Sequence, residues 1–148
     1  MKAKEIKNDG FLDTVLKPTI RGITLFPFGI YLREKLLKDR YIFNHEMIHW
    51  KQQMELFLTG FVIALVISGL TILNGYSYWW LSTLIILPIF TFYVWYLVEW
   101  FCKKSIYPRG NEAYRNLSFE REAYKFGKNL DYLKRRKRFT WIKYIFKK

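Results

Sequence analysis

The sequence is poor in cysteine and histidine and, over a long central stretch, in charge. Cys102 is the single cysteine, so the chain cannot form an internal disulfide, which suits a cytoplasmic location. Between Leu56 and Phe101 the only charged residue is Glu99, although the formal net charge of the chain is +13. All 25 lysines and arginines lie outside that stretch. This segregation argues against a soluble domain and is typical of a membrane protein with basic flanks.

The apolar stretch divides into two segments that can each cross a bilayer. Residues 56–73 form 18 consecutive uncharged positions, and residues 79–101 form a second segment of 23. A helix rises ~1.5 Å per residue, so about 20 residues cross a hydrocarbon core ~30 Å thick. Residues 74–78 supply a turn, and Pro88 is expected to kink the second span. We therefore predict a transmembrane hairpin.

The distribution of cations predicts the orientation of this hairpin. Ten lysines and arginines precede the first span, fifteen follow the second, and the turn has none. By the positive-inside rule, both termini then lie in the cytoplasm, and the protein is integral to a plasma or bacterial inner membrane. An aromatic belt at the outer interface would consist of Tyr76, Tyr78, Trp79 and Trp80.

Both histidines of the chain fall in one five-residue window, HEMIH, between His45 and His49. Residues four apart on a helix share a face, so both imidazoles can point at one ion. Glu46 is rotated by about 100° and can reach a water molecule beside that ion without binding the ion itself. This is the HExxH pattern of zinc hydrolases, in which the carboxylate moves a proton as water attacks a carbonyl. Asp39 is the expected N-cap of the helix.

A catalytic zinc ion normally takes three ligands from the protein, so a third residue is needed. Glu55 is a poor candidate because, on a continuous helix, it lies about 9 Å along the axis from His49 and faces away. Two spans return the chain to its starting side, where residues 118–127 carry Glu120 and Glu122. These two glutamates are about 200° apart on a helix, so only one can face the metal. The spacing leaves the choice between them open.

The order of HEMIH, a transmembrane hairpin and E-x-x-A (residues 120–123) resembles the gluzincin integral-membrane metallopeptidases. These include the HtpX-type heat-shock proteases and the CAAX prenyl-protein proteases. The resemblance implies a zinc metallopeptidase in which Glu46 is the catalytic base and His45, His49 and Glu120 bind Zn²⁺. Tyr124 stands where those families have an aspartate, and this chain has two spans where about four are expected.

Two further groups of residues are candidates for contact with a substrate. The apolar core of residues 21–34 is too short to span a bilayer and is rich in β-branched and aromatic residues, which predicts one or two short strands or, equally well, an interfacial anchor. Strand-edge residues that would pair with an extended substrate are Ile23, Thr24, Leu25 and Phe26. Residues that could steady a scissile carbonyl or its oxyanion are Tyr114, Arg115, Arg121 and Tyr124.

The predicted fold is mainly α and integral to the membrane, with a two-helix transmembrane hairpin, cytoplasmic zincin-like helices and a short N-terminal β segment. It forms one membrane-embedded domain over residues 1–148. Its parts are an N-terminal cytoplasmic segment (1–40), an active-site helix that continues as the first span (41–73), the second span (79–101), a third-ligand helix (111–127) and a basic membrane-surface tail (128–148).

The expected partners follow from the membrane setting. The substrate would be a membrane-associated peptide or protein, and oligomerisation is left open. The tail mixes cations with aromatic residues, so anionic lipid headgroups are its expected partner, with nucleic acid the lesser alternative. The alternative to an enzyme is a small membrane adaptor or regulator with a structural or vestigial metal site. A closed site with Glu122 or Cys102 as fourth ligand would support that alternative.

Overall fold

The computed structural model describes residues 2–6, 10–16, 20–75 and 81–146. These residues are mainly helical and include a small three-stranded sheet near the N-terminus, which confirms the mainly α composition and the short β segment. The predicted single domain consists of two compact units. The first combines Met1–Lys51 with Ser118–Lys148, and the second is Gln52–Leu117.

The sheet of the first unit has the strand order β1-β3-β2. Strand β2 (Gly22–Leu25) pairs antiparallel with β3 (Gly29–Leu32), and β1 (Lys4–Glu5) pairs parallel with β3 on its other side. Gly29 has a φ of +142°, a backbone conformation that favours glycine and ends the turn between β2 and β3. The sequence predicts one or two short strands or an interfacial anchor in residues 21–34, and this stretch forms the two strands β2 and β3. It does not predict β1, whose two residues pair with a strand more than twenty positions away.

Alternation along β3 directs its apolar side chains into a core beneath the sheet. Ile30 and Leu32 are fully buried and pack with Ile42 of the first long helix. Directly after the central strand β3, Arg33 forms an ion pair at 2.8 Å with Asp13, which lies in a short helix α1 that covers Phe11–Val15. This core holds the sheet against the segment that carries HEMIH.

Helix α2 covers Arg40–Leu73 and therefore includes both HEMIH and the first predicted span. Asp39 is its N-cap, as predicted, because Asp39 Oδ1 accepts hydrogen bonds from the backbone N–H groups of Tyr41 at 2.9 Å and Ile42 at 3.1 Å. No helix-breaking residue separates the motif from the apolar part. The two histidines therefore occupy consecutive turns of one continuous helix.

The second unit contains the apolar part of α2 together with α3 (Leu81–Ile106) and α4 (Gly110–Arg115). Two helices are long and apolar enough to cross a membrane, Arg40–Leu73 and Ile86–Ile106. In the most apolar 18-residue stretch of each helix, only 11% and 22% of the residues are buried within the molecule. Most of these side chains therefore face outward, as in a helix surrounded by lipid. Residues 76–80, and with them the predicted outer aromatic belt, lie outside the described part of the chain.

The two long helices approach closely at Gly60. A Cβ atom at this position would lie 2.6 Å from Thr91 Oγ1 and 3.3 Å from Pro88 Cα. Pro88 lies inside α3, as predicted. Close approach at a small residue is the usual packing of helices in a bilayer, where van der Waals contact replaces the hydrophobic effect as the driving force.

The segment predicted as one third-ligand helix is divided in two. Helix α4 ends at Arg115, and α5 begins at Ser118 and runs to Phe126. The tail then folds back as a short helix α6 (Tyr132–Arg135) and a 3₁₀ helix (Thr140–Tyr144). The Trp141 ring packs against the Phe119 ring of α5 with a centroid distance of 4.6 Å. Part of the predicted surface tail is therefore a structural support for α5.

Candidate metal centre

Helices α2 and α5 bring His45, His49 and Glu120 together in a buried cluster. The Nε2 atoms of the two histidines are 3.1 Å apart. Glu120 Oε2 lies 3.5 Å from His45 Nε2, and Glu120 Oε1 lies 3.4 Å from His49 Nε2. The predicted helical spacing of the histidines and the predicted return of residues 118–127 both place donors at this point.

The donor atoms lie close enough together to share one ion. Four ligands in a tetrahedron, each ~2.0–2.1 Å from a metal, lie about 3.3–3.4 Å from one another. The two Nε2 atoms are 3.1 Å apart, and each histidine lies 3.4–3.5 Å from a different oxygen of Glu120, so the carboxylate faces both histidines. The group could therefore hold a metal ion, and within the described part of the chain it is the one group of three such side chains.

The cluster also carries the charge that a divalent ion requires. Burial by itself raises the pKa of the Glu120 carboxyl, but the charges and hydrogen bonds of His49 and His45 together hold that pKa well below its usual range. Glu120 is therefore an anionic ligand at neutral pH. Nδ1 of His45 is buried and makes no hydrogen bond to any residue that the structure describes.

Glu122 is engaged elsewhere. Its Oε1 accepts a hydrogen bond from Arg136 Nε at 2.6 Å and from the Tyr132 hydroxyl at 2.7 Å, and its Oε2 lies 3.2 Å from Arg136 Nη2. Both members of this ion pair are buried. Burial, followed by the Glu122 hydrogen bond, raises the pKa of Tyr132. Of the two glutamates that the sequence leaves open, Glu120 belongs to the cluster and Glu122 neutralises Arg136.

Glu46 follows His45 in α2, is buried, and is held by strand β2. The Thr24 hydroxyl lies 2.7 Å from Glu46 Oε2 and 3.0 Å from the Glu46 carbonyl oxygen. A Cβ atom at Gly22 would lie 3.3 Å from Glu46 Oε1, so the missing side chain leaves room for the carboxylate. Two alternate positions of one strand thus face the carboxylate that the motif assigns to catalysis.

The predicted substrate-edge residues fall largely on β2. Ile23, Thr24 and Leu25 lie in this strand, which is at one end of the strand order. Phe26 lies in the following turn, and its ring packs on Trp50 with a centroid distance of 5.0 Å. The Thr24 side chain binds Glu46, whereas the predicted pairing with a substrate would use the main chain of the strand.

Of the four candidates for stabilising an oxyanion, Tyr124 contacts the cluster. Its ring meets the His45 ring edge-on at a centroid distance of 4.9 Å and is 41% exposed. It lies one helical turn after Glu120, whereas Arg121 follows Glu120 directly and is rotated by about 100°. Tyr114 and Arg115 lie on α4 in the second unit.

Two supporting residues have no recognisable signal in the sequence. The Asn44 amide donates hydrogen bonds to the carbonyl oxygens of Gly127 at 2.8 Å and Asn129 at 3.2 Å, which ties α2 to the end of α5. Arg136 supports α5 through its buried ion pair with Glu122. Asn44 and Arg136 each bind residues that are distant in sequence. Arg136 also lies in a run of basic residues, and nothing in the sequence marks it as the buried one.

Comparison of the chain with family models, with curated proteins and with solved structures gave no match.

Proposed function

We propose that this protein is a membrane-embedded zinc metallopeptidase. The observation that carries the proposal is the buried cluster of His45, His49 and Glu120. Glu46 follows His45 in the same helix, and its carboxylate is fixed by Thr24. Two imidazoles and one carboxylate, with a fourth position free for water, are a donor set of catalytic zinc sites. A structural site would need a fourth protein ligand. The group found among the described residues contains neither Glu122 nor Cys102.

Zinc is proposed as the metal because it suits this donor set. Mixed nitrogen and oxygen ligands in a small tetrahedral site suit zinc better than the hard cations Mg²⁺ and Ca²⁺, which prefer six or more oxygen ligands. When bound, zinc would polarise a carbonyl and lower the pKa of a water molecule towards ~7. His45, His49 and Glu120 would hold it, and the ionised Glu120 would balance part of its charge.

Glu46 would transfer the proton in this reaction. Its carboxylate takes a proton from the attacking water and later delivers it to the leaving amine of the peptide. Thr24 fixes the direction of that carboxylate through Oε2. The phenol of Tyr124, beside His45, is the best placed of the candidate residues to steady the oxyanion of the carbonyl.

The substrate would be a membrane-associated peptide in extended conformation. Strand β2 lies at the end of the sheet and next to Glu46, so a peptide added along its edge would pass the catalytic carboxylate. The two candidate spans support a location in the membrane, and the excess of cations outside them supports a site at the cytoplasmic surface.

Metal content tests the first part of this proposal. We expect near-stoichiometric zinc, measured by mass spectrometry, in protein purified in detergent, and a sharp loss of zinc in Glu120→Ala. The matched control is Glu112→Ala, on an exposed glutamate of α4, which should keep its zinc. Equal zinc in all three proteins would place the third ligand elsewhere, and wild type without zinc would refute the proposal.

A further inference from the structure

The tail presents an ordered and strongly basic surface, here called the basic segment (residues 128–146). It has one acidic residue, Asp131, which forms an ion pair with Lys134 at 2.7 Å. Because Asp131 is the single acidic residue, the other exposed lysines and arginines have no acidic partner within the segment. The exposed members of this set are Lys128, Arg135, Lys137, Arg138 and Lys143.

The structure distinguishes one cation of this run from the rest. Arg136 points inward, and its side chain is 4% exposed in the ion pair with Glu122. Trp141 and Tyr144 are also buried, and Trp141 packs on Phe119. The basic segment is therefore a folded layer on α5 that displays its remaining cations at fixed positions, which distinguishes it from a solvated disordered tail.

Three large apolar side chains are exposed in the basic segment. Leu130 is 45% exposed, and Ile142 (47%) and Phe146 (92%) lie near the end of the segment, where their neighbours Trp141 and Tyr144 are buried. A surface of cations with a few exposed apolar side chains is the pattern of segments that lie in the interface of a bilayer. The cations attract anionic headgroups, and the apolar side chains enter the boundary below them.

We infer that the basic segment docks on an anionic phospholipid surface through its exposed cations, with Ile142 and Phe146 inserted at the interface. The same chain carries two helices long and apolar enough to cross a membrane, which would tether the segment close to such a surface. Proteins that bind single-stranded nucleic acid stack successive bases on several exposed aromatic rings. Here Trp141 and Tyr144 are buried, and Phe146 is the one fully exposed aromatic ring of the segment. The inference does not depend on the metal site.

A fluorescent label in the segment tests this inference on the full-length chain. Cys102→Ser removes the single cysteine, and Ile142→Cys then accepts a polarity-sensitive fluorophore. The labelled protein is placed in nanodiscs of phosphatidylcholine alone or mixed with phosphatidylglycerol. We expect a blue shift of emission with phosphatidylglycerol that is absent with phosphatidylcholine and is reversed by added salt.

Charge variants provide the matched comparison. Lys137→Gln, Arg138→Gln and Lys143→Gln together should weaken docking on the order of 100-fold at low salt and abolish the shift. The control triple of Lys35→Gln, Lys38→Gln and Arg40→Gln removes the same charge from exposed positions outside the segment and should keep the shift. Thermal unfolding of both triples should match that of the parent.

Three results would overturn the inference. They are the absence of any shift, an equal shift in both lipid compositions, and a shift that survives the first triple substitution. A larger response to single-stranded RNA than to phosphatidylglycerol at the same salt would assign the surface to nucleic acid instead.

Discussion

The Thr24 hydroxyl lies 2.7 Å from Glu46 Oε2, and both side chains are buried. This contact joins the N-terminal sheet to the carboxylate inside the HEMIH motif. Strand β2 therefore has a role apart from any pairing with substrate. It determines the direction of the Glu46 carboxylate, which is the proposed proton acceptor.

Thr24→Val should slow hydrolysis without removing the metal. A hydrogen bond to a charged group contributes about 1.5–3 kcal/mol, so its loss should reduce kcat by roughly 10- to 100-fold. Thr24→Ser retains the hydroxyl and should restore most of the rate. The measurement is turnover of a peptide substrate together with zinc content. A Thr24→Val protein with wild-type turnover would show that the contact does not position Glu46.

Glu46→Gln should abolish hydrolysis while zinc remains bound. Glutamine nearly preserves the shape of the side chain but cannot accept the proton, and general-base catalysis contributes about 100- to 10,000-fold. Turnover and zinc content are measured on the same preparation, with Glu34→Gln, an exposed glutamate in the first unit, as the control. Retained turnover in Glu46→Gln would refute the mechanism even if the metal site exists.

Arg136→Ala should destabilise the first unit. The substitution leaves Glu122 buried without its ionic partner, and breaking a buried ion pair typically costs about 3–5 kcal/mol. Arg138→Ala removes an exposed arginine two positions away and should change stability by less than about 0.5 kcal/mol. Thermal unfolding in detergent compares the two. Equal transition temperatures would mean that the ion pair does not support α5.

Gly60→Ala should destabilise the hairpin, whereas Gly69→Ala should not. A methyl group at position 60 would press on Thr91 and Pro88, and overpacking costs about 1–3 kcal/mol. At position 69 no atom of the described residues outside the local helix backbone lies within 4 Å of the added carbon, so the better helix propensity of alanine, about 1 kcal/mol at most, dominates. Unfolding in denaturing detergent measures both. Equal effects would contradict the close approach.

Acid should release the metal through the histidines. Protons compete with a metal ion for its ligands, so binding weakens as the pH falls from about 7.5 to about 5. Glu120 has a lowered pKa and stays ionised throughout that range, so it does not contribute to the loss. Equilibrium dialysis at about pH 7.5 and about pH 5 should show zinc bound only at the higher pH. Zinc retained at the lower pH would argue against histidine ligands.

The sequence by itself determined the features that depend on local spacing. The helical period places His45 and His49 on one face, Asp39 caps the helix because of its position, and the length of the uncharged segments makes two candidate spans. These properties depend on residues within a few turns of one another. They can therefore be read without knowledge of the rest of the fold.

Only the tertiary structure decided which glutamate joins the histidines. Glu120 and Glu122 differ by the rotation of α5, and that rotation is set by the packing of Phe119 on Trp141 and by the ion pair of Glu122 with Arg136. The partners lie 14 to 22 positions further along the chain. The contact of Thr24 with Glu46 could not be predicted for the same reason, because these residues are 22 positions apart in sequence and come together only when β2 packs on α2.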